Sequence, residues 1–313
     1  MTICNVEDYT SSGWDSAASA SQSARAYCEH LERGEILYFP QSPIALSQED
    51  REFLLSAEQA GTRLHKNIAY RPAQDRVTGL SNETSATDLA NVRAVMGRFS
   101  GNVVKFVSDF LKPYDGKWKL DYASYRPIEE EGRDLATRSR NDLVHVDNFP
   151  TRPTNGDLIM RVFLNINPTQ NRVWVTGPPF HEVVDEHAPK AGLAEVAARV
   201  GSALAGVTRT AVRARKALGL PLIDRPPYDQ FMHNFHNYMK ETEGFQKTVR
   251  KERSEFPPGS TWIVFTDKVP HAVMSGRCAL EQTFIISKEA LVLPELAPIR
   301  ILEKMTGQAL SRR

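Results

Sequence analysis

The stretch NDLVHVDNFPTRP, residues 141–153, sets His145 and Asp147 two positions apart in an apolar run. An imidazole and a carboxylate so spaced could be a salt-bridged pair or two ligands of one metal ion. On a strand, residues i and i+2 share a face with Cα atoms roughly 6.5–7 Å apart. Both side chains can then converge on one ion while Val144 and Val146 pack behind. A third ligand must come from elsewhere, and His271, at the head of PHAVMSGRCALEQTFIIS, is the best candidate. In a jelly roll an early and a late strand of one sheet face one another, so the long separation is no obstacle.

Two imidazoles and one carboxylate on one face of an octahedral ion leave three positions open, the ligand set of non-haem Fe(II) oxygenases. Those positions suit a bidentate cosubstrate and O2. Arg277, six residues after His271, could hold the far carboxylate of such a cosubstrate bidentately. A competitor lies in RVFLN, where Arg161, Phe163 and Asn165 share one strand face. If that face is inward, Arg161 needs an anion, from the cosubstrate or an acidic substrate.

Other signals are weaker. His233 and His236 lie three apart and read as polar residues of a half-buried helix. HEVVDEH has the wrong spacing for a zinc helix, and Cys278 reads as core. No GxSxG, GxxxxGK[ST] or GxGxxG occurs, so hydrolase, nucleotide triphosphatase and Rossmann chemistry have no anchor.

The elements that must position these residues fit a chain of ordinary soluble composition: 313 residues, 41% hydrophobic, 25% charged. The 39 basic residues against 38 acidic ones give no reason to expect nucleic acid as partner. Cys4, Cys28 and Cys278 form no CxxC, which fits a reducing cytoplasm. No leader pattern or membrane-spanning apolar run is evident.

Residues 1–30 read as a loosely ordered arm, followed by a short apolar strand, a helix starting near Ser47 and an amphipathic helix from Thr87 to Leu111. That helix carries Leu89, Val92, Met96, Phe99, Val103, Phe106 and Phe110. After KPYDGK the pattern turns to short β-rich runs separated by Pro, Gly, Asn and Asp. The expectation is one domain with an all-β core, a double-stranded β-helix of jelly-roll or cupin-like type. It comprises N-terminal supporting helices over 1–114, the core over 115–288 with a helical insertion at 178–257, and a C-terminal helix in 289–313.

The runs ASYRP, HVDNFP, RVFLNINP and PHAVMSGRCALEQTF resemble the Fe(II)/2-oxoglutarate dioxygenases. The resemblance implies His145, Asp147 and His271 as iron ligands and Arg277 as the 2-oxoglutarate anchor, with Tyr125 reaching the cosubstrate. It also turns Arg161 and Asn165 inward. A narrower resemblance covers nearly the whole chain. GEILYFP, EDREFLL, KNIAYRP, DYASYRPIEEEGRDLATRSRNDLVHVDNFPTRPTNGD and LEQTFIIS are similar to the bacterial Kdo hydroxylases, which hydroxylate C3 of 3-deoxy-D-manno-oct-2-ulosonic acid (Kdo) in the lipopolysaccharide inner core to give Ko.

That family implies Kdo-lipid A as substrate, Fe(II), 2-oxoglutarate and O2 as cofactor and cosubstrates, and succinate and CO2 as co-products. Kdo carries a carboxylate and lipid A phosphates, so Arg126, Arg152 and Arg172 are expected at the site, with Asn148 and Asn155 beside the metal pair. Residues 196–223 contain no acid but carry Arg199, Arg209, Arg213, Arg215 and Lys216, a surface suited to anionic lipid. A cytoplasmic enzyme, peripheral on the inner face of the inner membrane, would fit. The alternatives are an oxygenase acting on another acidic sugar or lipid, and a non-catalytic cupin-like binding protein.

Overall fold

A computed structural model describes residues 3–59, 67–82, 84–129, 131–132, 134–200 and 225–312. Its strands are β1 (Ile3–Asn5), β2 (Tyr9–Thr10), β3 (Gly13–Trp14), β4 (Ile36–Phe39), β5 (Ile68–Arg71), β6 (Arg76–Thr78), β7 (Trp118–Arg126), β8 (Leu158–Asn165), β9 (Arg172–Thr176), β10 (Glu252–Phe256), β11 (Thr261–Phe265), β12 (His271–Ser275) and β13 (Ala279–Ile286). The large sheet has the order β1-β4-β11-β8-β13-β7-β5-β6, and a smaller one, β10-β9-β12, faces it. The arrangement is a double-stranded β-helix with helical additions.

Strand alternation sorts the side chains. On β8, Val162 and Leu164 join the core outside the large sheet, while Phe163 packs between the two sheets with Trp174, Phe256, Trp262, Val264 and Val273. The outer face is covered by the helix Ala86–Phe110, whose start is capped by the Ser85 hydroxyl accepting from the Asp88 amide at 3.0 Å. Its Val92, Met96, Phe99, Val103, Phe106 and Phe110 are buried. Each such side chain contributes roughly 1.5–3 kcal/mol relative to exposure. Leu89, grouped with them by periodicity, is instead 43% exposed.

Several expectations change. The N-terminal stretch is not a loose arm: β1 pairs in parallel with β4, and Ala20–Glu32 is a helix that buries Ala24, Cys28 and Leu31. The helical insertion ends earlier than residue 257, because Glu252–Phe256 is β10, paired antiparallel with β9. Before it lie the helices Phe180–His187, Leu193–Val200, Pro227–Glu241 and Glu243–Thr248. The C-terminal helix is Pro298–Thr306. Arg209, Arg213, Arg215 and Lys216 lie outside the described residues. Among the described residues no helix is long and apolar enough to cross a membrane, and all three cysteines are free thiols.

Candidate metal centre

His145 and Asp147 do not sit on a full strand. The segment is held at His145 by one antiparallel bridge to His271, the two residues exchanging backbone hydrogen bonds of 3.0 and 2.8 Å. The Asp147 amide then donates to the Thr266 carbonyl at 2.8 Å. This edge pairing extends the small sheet beyond β12 and brings two distant parts of the chain side by side. Val144 and Val146 are buried behind it.

His145, Asp147 and His271 offer donor atoms that all lie within 4.8 Å of one another. Each imidazole is locked by Nδ1 donating to the carbonyl two residues earlier, His145 to Leu143 at 2.7 Å and His271 to Val269 at 2.8 Å. That fixes the tautomer and leaves both Nε2 atoms as acceptors, the form in which imidazole binds a metal. Burial holds both imidazoles below the usual histidine range, so they are neutral at pH 7. Burial opposes the charge on Asp147, but the Arg161 guanidinium and the neighbouring histidines outweigh it and hold the carboxyl below the usual range. Its Oδ2 is buried and accepts no hydrogen bond among the described residues, with Arg161 Nη2 3.1 Å away as its ion-pair partner. Two neutral nitrogens and one carboxylate with spare coordination capacity form a donor set that fits a divalent ion.

The walls orient these ligands. Trp174 stacks on the His271 ring, with centroids 5.0 Å apart and planes 17° from parallel. His236, on the helix Pro227–Glu241, meets the His145 ring edge-on at 5.0 Å and donates from Nδ1 to the Val146 carbonyl at 2.7 Å. Burial lowers the His236 pKa to about 4, so it too is neutral. The loop leading to His271 is pinned from outside: buried Lys268 bonds the Glu32 carbonyl, and its own carbonyl accepts from the Phe180 amide at 2.7 Å. The Glu32 carboxylate in turn accepts from the Tyr114 hydroxyl at 2.6 Å and from the amides of Val292 and Leu293.

Between the sheets lies a second charged group. Glu281, 2% exposed on β13, accepts from Arg126 of β7 through Nε and Nη2 at 2.9 and 2.6 Å. Its other oxygen lies 2.8 Å from Arg161 Nη1, and Arg161 Nη2 lies 3.1 Å from Asp147. Burial pushes the Glu281 carboxyl up, but Arg126 and Arg161 outweigh it and keep it ionised.

The remaining expected site residues divide. Arg161 lies against Asp147 of the candidate cluster. Asn165 shares its face, but its amide donates to the Gln170 and Phe256 carbonyls and its oxygen accepts from the Asn167 amide, so it braces the turn between β8 and β9. Tyr125 does not point into the barrel: it lies on the outer face of β7 and its hydroxyl donates to the Leu54 carbonyl at 3.1 Å. Arg277 is exposed on the turn between β12 and β13, where Gly276 and Cys278 both take positive φ and carry it off the inward face.

Asn148 meets His233 Nδ1 at 3.2 Å. Arg152 pairs with Asp121 at 3.0 Å, and buried Arg172 bonds the Gly276 carbonyl. Asn155, at φ +55°, exchanges hydrogen bonds with the Arg312 backbone and holds down the C-terminal tail rather than facing the metal ligands. The sequence reading missed Glu281, and it took His236 for an ordinary helix residue. A carboxylate two positions after Ala279 in a strongly apolar strand was the one available hint of the former.

A family model described as 3-deoxy-D-manno-oct-2-ulosonic acid (Kdo) hydroxylase matches residues 14–309. No curated protein sequence matches this one. Among solved structures, the chain is similar to the apo form of the Kdo hydroxylase KdoO, a non-heme Fe(II) α-ketoglutarate dependent dioxygenase. The two are 30% identical over 99% of this chain and 98% of that one, with a TM-score of 0.83. The KdoO complex with α-ketoglutarate and Fe(III) gives the same values. The complex with succinate and Fe(III) matches at 30% identity over 99% and 97% of the two chains, with a TM-score of 0.82. With a family model spanning nearly the whole length and these structures agreeing, the chain belongs to the Kdo hydroxylase family.

Proposed function

We propose that this protein hydroxylates C3 of Kdo in Kdo-lipid A or a related lipopolysaccharide precursor, with Fe(II) held by His145, Asp147 and His271 and with 2-oxoglutarate and O2 as cosubstrates. The observation that carries this reading is the cluster of two tautomer-locked imidazoles and one ionised carboxylate facing the inside of the barrel. When bound, iron supplies the oxygen activation and C–H oxidation; the protein supplies placement, charge and exclusion of water.

The charge count supports a dianionic cosubstrate. Arg126 and Arg161 balance Glu281 and Asp147, and the imidazoles are neutral, so this group carries no net charge. A divalent ion adds two positive charges, and the two carboxylates of 2-oxoglutarate neutralise them. We assign Arg161, in contact with Asp147, to the carboxylate beside the metal. Arg126, one step farther along the Glu281 bridge, is assigned to the distal one, since guanidinium geometry suits bidentate capture. Phe163, Trp174, Trp262 and Phe256 fill the interior around them and keep water out.

On the open side, Asn148 with His233 is the polar pair offered to the sugar acid. Peripheral contact with the inner membrane belongs to the same reading and finds its support in the acid-free sequence of residues 196–223.

The test compares lipopolysaccharide from cells with and without the protein by mass spectrometry. A gain of one oxygen on Kdo is expected, absent in His145→Ala and Asp147→Ala, which should also release no succinate. Full turnover in either variant refutes the ligand assignment, and an unmodified Kdo with active succinate release refutes the substrate.

A further inference from the structure

Three arginines and two aromatic rings form a continuous ladder from the edge of the large sheet to the metal ligands. Arg71 on β5 lies over the Tyr122 ring of β7 at 5.0 Å, and Arg152 lies over the same ring at 4.1 Å. Arg152 also covers Phe149 at 4.4 Å, and Arg161 approaches Phe149 at 5.8 Å. Arg161 closes the line against Asp147. The arrangement follows from alternation. Ala69 pairs with Ser124 and Tyr70 with Ala123, so Arg71 falls opposite Tyr122 on the inward face, and the loop after Asp147 lays Phe149 and Arg152 across them.

The ladder carries unspent hydrogen-bonding capacity. Arg71, Arg152 and Arg161 each have a buried Nε without a hydrogen-bond partner among the described residues. Buried polar groups are normally satisfied, and charged donors most of all. Cation–π attraction holds the guanidinium carbons 4.1–5.8 Å from the ring centroids, but a ring face does not satisfy an in-plane N–H. Three such donors on one line, none used by its stacking partner, describe a surface built to receive oxygens. Asp121 takes one nitrogen of Arg152, and Asp147 and Glu281 engage Arg161. The ladder opens to solvent at Arg152, its middle rung, whose side chain is 36% exposed.

We propose that Arg71 and Arg152, held by Tyr122 and Phe149, form a second oxyanion subsite, which grips a charged group of the acceptor outside the sugar that is oxidised. The inference rests on the Kdo hydroxylase reading for the identity of the acceptor and adds a specificity determinant to it. The ligand chemistry is a phosphomonoester or a second sugar-acid carboxylate, both of which present paired acceptor oxygens to a guanidinium fork. Arg161 ends the ladder at Asp147, so an anion held by Arg71 and Arg152 also fixes which sugar of a longer acceptor reaches the metal.

The experiment measures binding by calorimetry to the Co(II)- and 2-oxoglutarate-loaded protein, wild type against Arg71→Gln and Arg152→Gln. Two probes separate the sources: a phosphorylated glucosamine disaccharide lacking Kdo, and a Kdo disaccharide compared with Kdo alone. At least a tenfold loss of affinity is expected in both variants for one probe, with Arg71→Lys recovering part of it. The KM for an acceptor bearing that group should rise in parallel, and the KM for an acceptor lacking it should shift less than twofold. Equal affinity of wild type and both variants for both probes overturns the subsite, as does an equal rise in KM for acceptors with and without the second anion. If the wild type hydroxylates no Kdo acceptor while a probe still binds in an Arg71-dependent way, the Kdo reading falls and the subsite stands.

Discussion

Glu281 offers the sharpest quantitative test of how the interior is held together. Glu281→Gln preserves shape but removes the negative charge between two guanidiniums. In the wild type one oxygen takes Nε and Nη2 of Arg126 at 2.9 and 2.6 Å, and the other lies 2.8 Å from Arg161. A glutamine can present only one oxygen, so its amide N–H2 must face the N–H groups of one arginine. The side chains of Arg126 and Arg161 are each only 12% exposed, so water cannot rescue the orphan. Removing one partner of a buried ionic network costs about 3–5 kcal/mol, because the other charges remain uncompensated.

For a chain of this size that corresponds to a fall in Tm of roughly 6–15 °C. Urea unfolding and differential scanning calorimetry of the metal-free protein measure it. The deficit should shrink when Co(II) and 2-oxoglutarate are added, since the dianion restores negative charge beside the same arginines. Glu241→Gln, which breaks the exposed pair with Arg138, is the control and should leave Tm within error. A Glu281→Gln loss below about 1 kcal/mol would mean that the network is solvated or redundant, and the charge count behind the cosubstrate assignment would fall with it.

Further outcomes follow from the same geometry. Burial lifts the Asp267 carboxyl to about 7 from an ordinary 3.8. The native state therefore keeps a proton that the unfolded chain has released, and stability declines as pH rises from about 4 to 7. Asp267→Asn should abolish that decline and raise the stability of metal-free protein at pH 8 by at most about 4 kcal/mol; urea midpoints that fall in parallel for both proteins would show that Asp267 is not responsible. His236→Phe keeps the ring against His145 but loses the 2.7 Å bond to the Val146 carbonyl. Co(II) affinity, read by absorption titration, should drop about tenfold to a hundredfold, and an unchanged affinity would make His236 mere packing. Arg126→Gln should raise the KM for 2-oxoglutarate at least tenfold while Arg277→Gln leaves it within twofold; the reverse order would return the anchor to Arg277.

The cluster of candidate metal ligands was legible in sequence because His145 and Asp147 form a local pattern and His271 heads a strand with an obvious turn before it. Arg161 was legible through alternation from Phe163. What alternation does not reveal is which face is inward when both carry plausible residues. On β7, Tyr125 and Arg126 are neighbours, and the pairing of Ile68 with Tyr125 against the outer core is a tertiary fact. The exposed position of Arg277 was not legible because positive φ at Gly276 and Cys278, on either side of it, interrupts the strand pattern that an unbroken reading extends through. The three-residue spacing of His233 and His236 did not show what His236 meets: that comes from the helix Pro227–Glu241 lying across the segment that carries His145 and Asp147. The N-terminal helix was hidden by its serines and alanines, which support a helix only when Cys28 and Leu31 have a sheet to bury against.

The stacking of Trp174 on His271 has an optical consequence. Of the four tryptophans in the chain, Trp174 stacks on a ring of the candidate metal cluster, and Trp262 lies 5.7 Å from it. An indole sharing its π-face with the ligand is an emitter wired to the coordination sphere, so its fluorescence should be quenched as Co(II) or Fe(II) arrives and should change again when 2-oxoglutarate completes the charge balance. Trp14 and Trp118, packed in the N-terminal layer and against Phe284, provide a steady background. The protein thus carries its own anaerobic titration reporter, with no label added and no residue changed.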